Sequence, residues 1–99
     1  MIYISAFLYV HKGSEKVFDL YESAVLPILS DYGGKLLHRI RTEKENSYSF
    51  EGELPYEVHL LVFPSKKEFD AYLGDKRRSA YENLQKDSIK TTFVIKEEK

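Results

Sequence analysis

The segment Ile2-Tyr-Ile-Ser-Ala-Phe-Leu-Tyr-Val10 constrains the fold more than any other part of the chain. Its residues are mostly β-branched, aromatic or aliphatic. Alternation puts Ile2, Ile4, Ala6, Leu8 and Val10 on one side and Tyr3, Ser5, Phe7 and Tyr9 on the other. Apolar surface on both sides predicts a central strand that must be covered from above and below. With 99 residues there is material for only one core, so residues 1–99 read as a single domain. A chain of this size buries only roughly 60 to 70% of its unfolded surface, and self-association would add useful burial.

The rest of the chain supplies the remaining elements in a definite order. His11-Lys-Gly-Ser14 ends the first strand, and Ser14 is a suitable N-cap for a helix running to about Tyr32. Phe18, Tyr21, Val25 and Ile28 form its apolar stripe. Pro27 lies well inside this span and removes the donor for the Ser23 carbonyl, which predicts a bend. Gly33-Gly34 stops the helix, with Gly33 expected in the left-handed conformation. The glycines follow a helix, whereas a phosphate-cradling loop would precede one.

Lys35 to Thr42 reads as the second strand. The polar stretch Glu43 to Ser49 reads as its extension into a ribbon that returns through Glu51-Gly-Glu-Leu-Pro55. Tyr56 to Phe63 is the third strand, with Val58, Leu60 and Val62 on one face and Glu57, His59, Leu61 and Phe63 on the other. Ser65 and Glu68 have capping-box spacing after Pro64, and a helix starts there and runs to about Leu73. Gly74-Asp75 breaks it before a second helical segment carrying Ala80, Tyr81 and Leu84. Lys90 to Lys96 alternates as a fourth strand.

Strand, helix, strand, strand, helix, strand is the split βαβ order of ferredoxin-like α+β domains. Right-handed crossovers put both helices on one face of an antiparallel four-stranded sheet. The other face then needs a cover, and a second copy of the sheet is the simplest one. Tyr32-Gly-Gly-Lys-Leu-Leu37, Phe50-Glu-Gly52 with Pro55, and Leu61-Val-Phe-Pro-Ser65 followed by Phe69 and Tyr72 resemble the dimeric α/β-barrel superfamily. The likeness is greatest to a small single-domain branch of unknown function. It implies a homodimer joined through its sheet faces, with a pocket between helices and sheet in each subunit. Two stretches depart from that branch: Gly74-Asp-Lys-Arg-Arg-Ser79, and the long polar excursion Glu43 to Ser47. The chain also has no Trp, unlike the haem-degrading members.

Fifteen basic against sixteen acidic residues leave a formal charge of −1, with no field to draw phosphate backbones or anionic lipid. No nucleic-acid or membrane partner is expected. Ile2-Tyr-Ile-Ser5 has some likeness to the first-strand motif of RNA-recognition domains, but Tyr56 to Phe63 lacks their basic-Gly-aromatic pattern. The absence of Cys excludes disulfides and thiolate metal sites. Met1 to His11 reads as a strand and not as a signal peptide or membrane span, so a cytoplasmic location is the default.

His38 and His59 lie on strands expected to be neighbours. A simple hairpin sends them to opposite faces, and one bulge in the ribbon would bring them together. Two histidines without a third ligand do not define a metal site, and neither a metal nor another cofactor is expected. The leading reading is a protein that binds a small aromatic or anionic metabolite. The alternative, which the resemblance implies, is a cofactor-independent monooxygenase or isomerase with His38 or His59 as general base. In that reading Tyr9 or Tyr21 donates hydrogen bonds and Arg39 holds an anionic group. Lys76-Arg-Arg78 reads as a solvated charged face.

Overall fold

The structure, a computed structural model, describes residues 1–43 and 52–99. Most of the polar ribbon expected between the second and third strands lies outside the described residues. The elements are β1 (Ile2–Val10), α1 (Glu15–Val25), a 3-10 helix (Leu26–Tyr32), β2 (Lys35–Arg41), β3 (Glu57–Phe63), α2 (Lys66–Leu73), α3 (Lys76–Ser79), α4 (Glu82–Ser88) and β4 (Ile89–Glu98). They form one sheet in the order β2-β3-β1-β4, with every neighbouring pair antiparallel.

β1 is central, as its two-sided apolar character requires. Ile2, Ile4, Ala6 and Leu8 are buried beneath the helices. They lie opposite Phe63, Leu61, His59 and Glu57 of β3, so the same face of β3 is covered. Ile2, Ile4, Ile28, Leu29, Leu61, Phe63 and Tyr72 make the main core. Phe63 is fully buried, with ring centroids 5.2 Å from Phe69 and 5.5 Å from Tyr72.

The first helix changes form at its proline. α1 ends at Val25, and Pro27 starts a 3-10 turn that carries Ile28 and Leu29 into the core. Gly33 then adopts φ 70°, its N–H donates to Ser30 O, and that of Gly34 donates to Leu29 O, a Schellman closure. Both glycines are fixed by packing as well. A Cβ on Gly34 would stand 2.7 Å from the Phe63 ring, and one on Gly33 2.9 Å from Pro64. Ser65 and Glu68 meet at the start of α2, but Ser65 Oγ donates to the Glu68 carboxylate and does not cap an amide.

The face away from the helices is strongly apolar. Phe7 and Phe93 pair across β1 and β4, with ring centroids 5.9 Å apart. Phe93 is 57% exposed and Ile95 48% exposed, and Tyr3 lies near them on the same side. Among the described residues no helix is long and apolar enough to cross a membrane.

Candidate functional site

Among the described residues, four polar or charged side chains are buried, Glu22, Glu57, His59 and Ser88. α1 presents Phe18, Tyr21, Glu22 and Val25 to the sheet, so Glu22 sits inside the buried stripe, four residues from Phe18. β3 brings Glu57 and His59 to the same face because they share the parity of Leu61 and Phe63. Glu57 is 1% exposed, Glu22 3% and His59 4%.

These three groups form a directed chain. His59 Nε2 lies 2.8 Å from Glu57 Oε1, and the opposite ring atom, Nδ1, lies 3.9 Å from Glu22 Oε2. Glu57 also accepts from Arg39 Nε and from Arg41 Nη2, the latter at 2.9 Å. Burial alone would raise the Glu57 carboxyl, but the hydrogen bonds from His59, Arg39 and Arg41 outweigh it and hold the group at about 2. Glu57 therefore accepts from Nε2, and Nδ1 is the ring atom that faces Glu22. Burial dominates at Glu22, opposed only in part by His59 and Arg39, and pushes its carboxyl up to about 7.

Next to this chain is a cavity of about 220 Å³ between the helices and the sheet. Ile4, Ala6, Val25, Leu61 and Phe69 give it apolar walls, and Tyr21, Glu22, His59, Tyr72 and Arg78 give it polar groups. The Tyr72 hydroxyl donates to Val25 O, the last carbonyl of α1, at 3.3 Å, and burial pushes this phenol up to about 12. Burial likewise raises the Tyr21 phenol.

The structure therefore brings His59, Tyr21 and Arg39 to one face, with Arg39 engaged by Glu57. His38 and Tyr9 are on the other face. His38 pairs with Leu60 and Tyr9 with Thr91, both on the open side of the sheet. The register between β2 and β3 shifts between Leu36 and His38, so the bulge lies beyond His38 and does not turn it inward. Glu22, Glu57, Tyr72 and Arg78 were not among the expected site residues. The first two were visible as acids on core positions of a helix stripe and a strand face.

No protein-family model and no curated protein matches the chain. Solved structures do. A protein of unknown function from Rhodopseudomonas palustris superposes with a TM-score of 0.83 at 13% identity, covering 99% of this chain and 81% of that one. A dimeric protein of unknown function and ferredoxin-like fold from Bacteroides fragilis gives 0.71 at 8% identity, covering 99% and 95%. The fold is ferredoxin-like. A candidate antibiotic biosynthesis monooxygenase from Nitrosomonas europaea also gives 0.71, at 9% identity, covering 100% and 98%. The fold expected from strand order and from the superfamily resemblance is thus the one observed.

Proposed function

We propose that this protein binds a small, largely apolar metabolite in the cavity between its helices and sheet, as a homodimer joined through the open sheet faces. The observation that carries the reading is the convergence of apolar cavity walls on a buried titratable pair, Glu22 and His59. The cavity is large enough. An apolar void of about 150 Å³ holds benzene, so about 220 Å³ accommodates a substituted ring. Exposed Phe93 and Ile95 favour the homodimer, and the Bacteroides fragilis protein of the same fold is dimeric.

Indole, a neutral aromatic probe, tests the cavity. Saturable amide shifts are expected at Ala6, Glu22, His59 and Leu61, and Ala6→Phe, which fills the space, should abolish them. Shifts confined to Phe7, Phe93 and Ile95 would contradict the reading.

A second reading is favoured by one specific observation, the orientation of His59 by Glu57. An imidazole held by Glu57 at the cavity wall is suited to take a proton from an enolisable or phenolic ligand without any cofactor. The Nitrosomonas europaea protein has a related fold and a name in the monooxygenase class. If this reading holds, His59→Ala removes turnover of such a substrate while its binding persists. Turnover that survives the substitution rules His59 out as the base.

A further inference from the structure

The chain has four arginines, and they are not equivalent. Arg39 and Arg41 bind Glu57, and Arg77 binds Asp75 and Asp31 at 2.9 and 2.8 Å. Arg78 forms no ion pair among the described residues, although it is the arginine that turns inward and lines the cavity.

Its guanidinium is nevertheless held in place. Nη1 donates to the Leu73 carbonyl at the end of α2 at 3.2 Å, and Nη2 donates to the Tyr21 hydroxyl at 3.2 Å. Cζ lies 4.7 Å from the centre of the Tyr72 ring, and Nε is buried with no hydrogen-bond partner among the described residues. A carbonyl, a phenol and a ring face orient the cation without neutralising it. Taking a charge out of water is costly unless an anion accompanies it. The nearby acids do not fill that role by contact, since Glu57 is already bound by Arg39, Arg41 and His59, and the Glu22 carboxylate faces His59 Nδ1 and forms no ion pair with Arg78.

We propose that Arg78 is the anion-recognition residue of the cavity, and that the ligand is a small monoanion with an apolar or aromatic body, its carboxylate on Arg78. The inference rests on the cavity reading above. The planar guanidinium offers a fork that matches a carboxylate, while Ile4, Ala6, Val25 and Leu61 receive the body of the molecule. This differs from a solvated charged face: Lys76 and Arg77 are exposed, whereas Arg78 is half-buried against Tyr21 and Tyr72.

The test uses two probes of one shape, 3-phenylpropanoate and 3-phenylpropanamide. Their affinities are measured by calorimetry, and the site is confirmed by amide shifts at Ala6, Glu22 and Leu61. The wild type is expected to prefer the anion by about tenfold or more. Arg78→Gln should reduce that preference to about twofold or less, as expected for loss of the charge-assisted fork. Amide affinity should be unchanged, which also shows that the variant is folded. Arg78→Lys, which keeps the charge and loses the fork, should fall between. A wild-type preference near unity, or one that survives in Arg78→Gln, overturns the role of Arg78 and leaves the cavity reading intact. If neither probe shifts the cavity residues, both fall.

Discussion

Along β3, Glu57 and His59 alternate with Val58 and Leu60, so a single step of parity separates the two faces of the sheet. In a sheet packed on one side, the covered face is expected to be apolar and the open face polar. Here part of that pattern is inverted. The covered face buries Glu22, Glu57 and His59 beside its cavity, while the open face exposes Phe93 and Ile95 near Phe7. Buried charge that is hydrogen-bonded but costly points to ligand chemistry, whereas exposed apolar surface points to assembly. We therefore propose different tasks for the two faces, and each proposal can be broken without the other.

The largest effect is expected at Glu57, the anion shared by His59, Arg39 and Arg41. Glu57→Gln leaves those donors without their charge partner, and urea unfolding should show a loss of about 3–5 kcal/mol, typical of breaking a buried pair. A loss below about 1 kcal/mol would mean that the cluster is effectively solvated.

Glu22 comes next, and its effect is read through pH. Its carboxyl is raised from 4.5 to about 7 by burial, so the folded protein holds a proton that the unfolded chain releases. The corresponding stability is fully present below about pH 4.5 and is lost as pH rises through 7, by about 3 kcal/mol in total. Glu22→Gln should flatten that decline between pH 5 and 8. Glu57 has the opposite sign. Lowered to about 2, it contributes stability above pH 4.5 that disappears as pH falls toward 2.

The open face should respond in assembly and hardly at all in folding. Phe93→Glu is expected to leave the monomer's stability within about 1 kcal/mol, since Phe93 is exposed, but to abolish the proposed dimer. Light scattering at micromolar concentration distinguishes the two states, and a clean wild-type monomer near 11.6 kDa would contradict the assignment of this face. The smallest effect is expected at His38. His38→Ala should change stability by no more than about 0.5 kcal/mol and leave probe binding in the cavity unaltered.

The fold was legible because it depends on patterns that the chain displays locally. The two-sided apolar strand Ile2–Val10 had to be central, and Gly33-Gly34 had to close a helix. The parity of β3 also placed Glu57 and His59 on the face of Leu61 and Phe63, as observed. The candidate site was less legible because it depends on partners far apart in sequence. Which face His38 takes is decided by the register that pairs it with Leu60, with the bulge falling between Leu36 and His38. Arg78 stands in a basic run that reads as solvated, and only the packing of α3 near α1 carries it to Tyr21. Arg39 reached the expected face, but Glu57 engages it there.

The claim that the covered face holds a buried, chargeable centre beside its cavity is tested most directly at Glu22. Carbon-13 NMR of the Glu22 side-chain carboxyl gives its titration midpoint in the folded protein. The structure predicts a midpoint near 7, because the group is buried beside His59. A midpoint near 4.5, the ordinary value for a solvated glutamate, would show that water reaches the carboxyl freely and would contradict the assignment of this face.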